Sequence, residues 1–382
     1  MTRVYLDYAA TTPVDPAVAD VMRAALLAFP GNPSSLYEEG RAARSALEGA
    51  RSDIARRIGA HPEEIVFCGS GTESDVAAVL GIARQAAATG RSRHVVISAF
   101  EHHAVLEAAV VLEREGFEVE RVGPDNTGRI DPEAVGQALN DRTALVSIMH
   151  ANNEIGTVQD VSAIAHLAHA RGAYVHTDAA QSLGKLDIDV DALGVDALSA
   201  AGHKIYAPKG TGILFLRSGT PFEPLLRGGG QESGRRSGTE SVAGAIALAR
   251  ALELMDDERP DGMTRLGVLR DSIERGLSAT ASPVVVHGAG AQRLPHLSNI
   301  GIPGCEGGSL LMLLDEAGFS VSAGSACASG SGRASHVLQA IGAGRDPHEA
   351  SLRVTVGRWT STADVERFVD AAAHAIARLR GR

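Results

Sequence analysis

Lys204 stands in Ala200-Ala-Gly-His-Lys204, directly after the apolar segment 195–199 and ahead of Tyr206-Ala-Pro-Lys-Gly210. A lysine at the end of a buried segment, beside a glycine and a histidine, is poorly sited for solvation. Desolvation favours its neutral amine, which adds to carbonyl groups to give a Schiff base; the competing reading is an ordinary surface cation. Asp178, in His176-Thr-Asp178-Ala-Ala-Gln181, closes the run AYVHTD. A carboxylate there faces a ligand crevice or caps the following turn. Amine and carboxylate on successive strand ends together match what pyridoxal 5'-phosphate requires. It needs a lysine for its covalent link and an aspartate that keeps the pyridine nitrogen protonated, so that the ring accepts electrons.

Other constellations surround this pair. Gly69-Ser-Gly71-Thr72-Glu73 is neither a dinucleotide fingerprint nor a P-loop; a glycine turn of this kind opening a helix offers a phosphate seat or is a plain capped helix start. In Phe100-Glu-His102-His103 the paired histidines lack any metal-ligand spacing, so no metal is expected. One histidine at a strand end can instead stack on a planar cofactor and shuttle protons. Asn152-Asn153-Glu154-Ile155-Gly156 places two amides where they bind a carboxylate or ring oxygen, or close a turn. Gly228–Thr239 is a Gly- and Arg-rich loop that approaches an anion or is a disordered crossing. Arg353, inside SLRVTV, needs a partner if buried, and a substrate carboxylate is one. Residues 320–335 are nearly all Gly, Ala and Ser, as in a linker, except that Cys327 lies among them.

These residues need elements to position them. Runs at 64–68 (EIVFC), 94–99 (HVVISA), 117–122, 144–149 (ALVSIM), 173–178 (AYVHTD) and 211–216 (TGILFL) read as strands. They alternate with helix-period segments at 74–88, 104–115 and 161–171, which end at Gly90, Gly116 and Gly172. This alternation predicts an α/β fold with a mostly parallel central sheet flanked by helices. After Ser241 a helix is expected to stop near 259–262, and another to occupy 263–277. Short strands at 284–287, 297–302, 319–322 and 352–356 suggest a smaller α+β domain. The expected division is a large domain at 15–260 and a small one made of 1–14 and 261–382.

Composition narrows the class. The 382 residues are 44% hydrophobic and 21% charged, a globular balance, and 43 glycines imply many tight turns or close backbone approaches. A formal charge of −10 argues against nucleic-acid binding, and no apolar run suggests a membrane span or signal core, so a cytoplasmic protein is expected. Three cysteines make no disulfide framework, which leaves reactivity as the reason for any that matters.

The ordered set YLDYAATTP, GNPSS, GTESD, EHHAVL, NNEIGTVQD, DAAQSLGKL, GHKIYAPKG, RSGT, GSACASG, SHVLQAIG and SLRVTVGRWT closely resembles the cysteine desulfurases over nearly the whole chain. These are homodimeric, pyridoxal-phosphate enzymes of fold type I. The resemblance implies that Lys204 links the cofactor, Asp178 pairs with its ring nitrogen and Gln181 meets its ring oxygen. His102 would stack on the ring and move protons. Gly71, Thr72 and His203 would hold the phosphate, with Thr239 supplied by the partner subunit. Asn153 and Arg353 would take the substrate carboxylate, and Cys327 would be the persulfide-forming nucleophile. Ala201 departs from a usual phosphate-binding serine, Val76 from a frequent asparagine and Tyr37 from a frequent histidine.

The implied reaction turns L-cysteine into L-alanine and leaves sulfur on Cys327. The sequence around 322–335 resembles the branch with a longer, mobile cysteine loop, as expected of a thiol that collects sulfur in the site and delivers it to a protein acceptor. Iron–sulfur cluster assembly is the expected destination; tRNA or DNA thio-modification, a selenocysteine lyase and a plain aminotransferase are the alternatives. Cys68 and Cys305 read as structural.

Overall fold

The computed structural model describes residues 3–90, 93–323, 335–343 and 349–381. Cys327 lies outside them. In chain order the strands are β1 (Val4–Tyr5), β2 (Ile65–Cys68), β3 (His94–Ser98), β4 (Glu118–Val122), β5 (Thr143–Ser147) and β6 (Tyr174–Asp178). They continue with β7 (Ala197–Ala201), β8 (Gly212–Leu216), β9 (Val285–Val286), β10 (Leu297–Pro303), β11 (Phe319–Ser320) and β12 (Glu349–Thr355). Seven of them make one sheet in the order β2-β8-β7-β6-β5-β3-β4, in which β8 alone runs against its neighbours. The near-continuous apolar runs VVI, ALV and ILF fit strands covered on both faces. Edge strand β4 is the polar exception, with Glu118, Glu120 and Arg121 exposed.

Helix Gly71–Ala88 crosses the centre of this sheet, and its buried face is mostly Ala, Val, Leu and Ile after Asp75. Small alanines let it lie close on the strands beneath. A second core forms where β10 pairs antiparallel with β12 and β9, backed by helices Gly307–Glu316 and Thr362–Leu379. Strand β1 pairs with β11 and carries Val4 and Leu6 into that second core.

The expected helix break near 259–262 does not occur. One helix runs from Val242 to Thr280 with Pro260 inside it. A proline removes one backbone donor and strains the preceding turn, but side chains hold both sides of this one. Arg259 pairs with Asp187 and Asp256, and Thr264 Oγ1 donates to the Pro260 carbonyl. The first half of the helix packs Ala245, Leu248, Leu252 and Met255 into the large-sheet core. The second half packs Leu266, Leu269, Ile273 and Leu277 into the other. No described helix is long and apolar enough to cross a membrane.

Candidate active site

Strands β2, β3, β5, β6 and β7 all run the same way, so their carboxyl ends share one edge of the sheet, the usual position for a ligand in an α/β fold. A cavity of about 280 Å³ opens there, lined among others by Gly71, Thr72, His102, Asn153, Asp178, Gln181, His203, Lys204 and Arg353. Every predicted site residue among those described therefore faces this cavity except Thr239. Thr239 is exposed and lines a separate hollow with Gly69, Arg236 and Ser241.

Lys204 follows β7 on the short turn Gly202–Lys204. The turn is tight: a Cβ on Gly202 would lie 2.2 Å from Thr211 Oγ1. Just beyond, Tyr206 holds a left-handed φ of +66°, uncommon for a residue with a side chain. It is kept there because its N–H donates to Thr12 Oγ1 (2.7 Å) and its carbonyl accepts from Asp15 (3.0 Å). The ammonium of Lys204 donates to the carbonyls of Ala9 and Ala10 at 2.6 and 2.8 Å.

Asp178 ends β6. One carboxylate oxygen accepts from the Ala180 N–H at 2.8 Å, so the turn-capping reading and the crevice-facing reading both hold. Burial raises its pKa, while His102 and Lys204 pull the other way. His102 caps helix His103–Arg114, and its Nδ1 accepts from the Ala104 N–H at 3.2 Å. The proton of the neutral ring then sits on Nε2. Burial lowers the His102 pKa, and favours that neutral form. His203 is likewise pushed down to about 4, first by burial and then by Lys204 and Lys209, and its Nδ1 meets Thr11 Oγ1 at 3.2 Å.

The phosphate end is a helix N-terminus. Ser70 caps helix Gly71–Ala88 by accepting from the Glu73 N–H, and the first amides of the helix have no intrahelical partners. The carboxylate of Glu73 is turned away from that end by the Gly69 N–H (2.8 Å) and by Arg236 (2.7 Å). A Cβ on Gly71 would sit 3.0 Å from the methyl of Ala201, so glycine keeps the seat shallow and open.

These residues fit pyridoxal 5'-phosphate. Gln181 donates one N–H to the Ala9 carbonyl (3.0 Å), and its buried Oε1 has no partner among the described residues, a polar orphan at the cavity wall. A strand-end carboxylate, an amine and an open helix N-terminus complete a donor set for a pyridine nitrogen, an aldehyde and a phosphate.

Arg353 enters from β12 on the opposite side and is only 2% exposed. Its guanidinium donates to Asp7 (2.9 Å) and to the Asn153 carbonyl (3.0 Å), and its Nε has no partner among the described residues. In the neighbouring turn Asn152 Oδ1 accepts from the N–H groups of Glu154 and Ile155, so this amide closes the turn while Asn153 faces the cavity. The remaining thiols are not poised for chemistry: burial pushes Cys68 and Cys305 upward in pKa.

Sequence reasoning missed Asp7, Asp75, Glu154 and His336, which stand in or beside this cavity. Asp7, Asp75 and Glu154 belong to recognised motifs, DYAATTP, GTESD and NNEIG, yet the pairings of Asp7 with Arg353 and of Glu154 with Ser335 span most of the chain or half of it and leave no periodic trace.

The aminotransferase class-V family model matches residues 4–368. The protein named cysteine desulfurase IscS from Dictyoglomus turgidum is 43% identical over 377 residues, covering 99% of this chain and 95% of that protein. A solved NifS-like protein superimposes with a TM-score of 0.91 at 32% identity, covering 99% of this chain and 100% of its own. The structure titled SspA in complex with cysteine gives 0.82 at 34% identity, with 94% and 100% covered. The chain belongs to the class-V aminotransferase family and, within it, to the pyridoxal-phosphate-dependent cysteine desulfurases.

Proposed function

We propose that this protein converts L-cysteine to L-alanine, holds the released sulfur on Cys327 as a persulfide, and passes it to a protein acceptor for iron–sulfur cluster assembly. The observation that carries the reading is the meeting of Lys204, Asp178, His102 and Arg353, from four separate places in the chain, around one cavity. Pyridoxal 5'-phosphate, when bound, supplies an electron sink for charge left at the substrate α-carbon.

The chain's own residues do the rest. Arg353, fixed by Asp7 and the Asn153 carbonyl, binds the cysteine carboxylate and sets which substrate bond faces Lys204. Lys204 Nζ takes the α-proton and returns a proton to the product. Asp178 would accept from the cofactor's ring N–H, and Gln181 would meet its ring oxygen. Gly71, Thr72 and His203 would hold its phosphate. His102 Nε2, carrying its proton, would serve as a donor to it. Cys327 as thiolate then takes the substrate sulfur: an S–S bond forms as the C–S bond breaks. In sum, the Cys327 thiol and L-cysteine give the Cys327 persulfide and L-alanine. An ordinary thiol pKa near 8.5 leaves only a few per cent thiolate at pH 7, so removal of its proton is part of the work of the site.

The exposed position of Thr239, away from its own chain's cavity, supports a homodimer in which it completes the partner's phosphate seat. The free thiols Cys68 and Cys305 suit a reducing compartment such as the cytoplasm.

The test is turnover of the purified holoenzyme with L-cysteine, reading alanine and trapped persulfide together. Lys204→Ala is expected to lose at least about 10³-fold in rate, the scale of a missing acid–base group with its nucleophile. Cys327→Ser keeps the cofactor absorbance and forms no persulfide. Persulfide formation that survives Cys327→Ser would refute the assignment.

A further inference from the structure

Glu154 is fully buried beside the cavity, and the roles above do not use it. The turn fixed by Asn152 directs its side chain toward Ser335, whose hydroxyl donates to Glu154 Oε2 at 2.5 Å. Oε1 has no partner among the described residues. Ser335 is also the N-cap of helix His336–Ala340, with its hydroxyl accepting from the N–H groups of Val337 and Leu338. His336 then bonds the Glu101 carbonyl at 3.0 Å and lies against His103, with ring centroids 4.8 Å apart.

Ser335 is the first described residue after the sequence that contains Cys327. Before that sequence, Ser322 exchanges two backbone hydrogen bonds with Arg353, at 3.2 and 2.7 Å. Of the described residues that flank the sequence containing Cys327, Ser322 thus bonds the substrate-binding arginine and Ser335 bonds Glu154. Residue 153, next to Glu154, holds the same arginine through its carbonyl. One anchor thus bonds Arg353 itself, and the other bonds the residue next to the carbonyl that holds Arg353.

We propose that Glu154 is a positioning residue that fixes, through Ser335, the returning end of the Cys327 segment relative to the Arg353 carboxylate site. This rests on the reading of Cys327 as sulfur acceptor. The bond is a short O–H to carboxyl contact, and Glu154 itself is fully buried. Its loss shifts an anchor without removing any group that holds cofactor or substrate. The consequence is a split: sulfur transfer slows while cysteine binding persists.

The experiment is single-turnover mixing of holoenzyme with L-cysteine, reading trapped Cys327 persulfide for transfer and the cofactor absorbance change for binding. Glu154→Ala is expected to slow persulfide formation by about 10²-fold, the scale of an ångström-level misplacement. The apparent cysteine dissociation constant stays within roughly threefold of wild type. Glu154→Gln, still able to accept from Ser335, recovers most of the rate. Ser335→Asp keeps an N-cap acceptor but sets a carboxylate against Glu154, so it reproduces the loss and decides the matter if Glu154→Ala does not fold. A wild-type transfer rate in Glu154→Ala or in Ser335→Asp overturns the proposal. So does a loss of cysteine binding in step with the rate, which would make Glu154 a binding residue. If wild type itself forms no persulfide on Cys327, the functional reading fails and this proposal falls with it, whereas a wild-type rate in the variants overturns this proposal alone.

Discussion

On one wall of the cavity Lys204, Asp178, His102 and Gly71 sit just at or beyond the carboxyl ends of β7, β6, β3 and β2; on the other, Arg353 projects from within β12. The first wall is positioned by backbone. Its side chains make few bonds to one another, and their places follow from sheet register, a capped helix and a tight glycine turn. The second wall is positioned by side chains. Arg353 is buried and stands only because Asp7 and the Asn153 carbonyl take up its donors. A buried cation without such partners would be strongly destabilising. The cofactor wall should therefore accept small substitutions, with effects on affinity, whereas the substrate wall depends on the fork geometry of one residue.

Arg353→Lys probes that difference most sharply. Lysine keeps the charge but presents a point donor that cannot hold Asp7, the Asn153 carbonyl and a substrate carboxylate together. Losing one charge-assisted bond, at roughly 1.5–3 kcal/mol, is expected to raise the KM for L-cysteine by about 10- to 100-fold. Cofactor absorbance stays as in wild type. Steady-state kinetics decide it: an unchanged KM would remove Arg353 from carboxylate binding.

Ala201→Ser tests the opposite wall in the gaining direction. Ala201 is buried with its methyl beside Gly71, at the helix N-terminus read as the phosphate seat. A hydroxyl there adds one donor toward a dianion without disturbing the strand. Cofactor affinity, measured by titrating the apoenzyme, is expected to rise by about tenfold, the lower end of the worth of one hydrogen bond to a charged group. No gain would mean that the phosphate lies elsewhere.

Both walls were legible in the sequence to unequal degrees. Strand-end residues announce themselves because an apolar run followed by a polar residue is a local pattern: HVVISA before His102, AYVHTD at Asp178. Arg353 was visible as a cation in an apolar strand, but Asp7, its counter-ion, lies 346 residues away and could be seen only in three dimensions. The helix Val242–Thr280 was misread for a related reason. Local chemistry at Arg259-Pro-Asp-Gly262 favours a break, and packing against two separate cores overrides it. In NNEIG the two asparagines divide between the alternatives: Asn152 closes the turn and Asn153 faces the cavity, a choice set by Phe100 and Met149, which meet the Asn152 amide.

A last comparison separates the walls by charge. Asp7 faces a guanidinium, whereas Glu101, fully buried at the end of β3, faces none within hydrogen-bonding distance. Its Oε1 accepts from the Ser98 hydroxyl (2.6 Å) and the Met149 N–H (2.8 Å), and Oε2 has no partner among the described residues. Burial, opposed by those two bonds, raises its pKa from 4.5 to about 8. The folded state thus keeps a proton that the unfolded chain releases above 4.5. Stability from this group is fully present below pH 4.5 and is lost as pH climbs to about 8, at up to about 1.4 kcal/mol per pH unit. Glu101→Gln keeps an acceptor for Ser98 and Met149 and has nothing to ionise. Its Tm relative to wild type is therefore expected to rise steadily between pH 5 and pH 8 and to level off above that range. A Tm difference that stays flat across the range would mean that Glu101 is ionised throughout, and that a cation serves this wall as Arg353 serves Asp7.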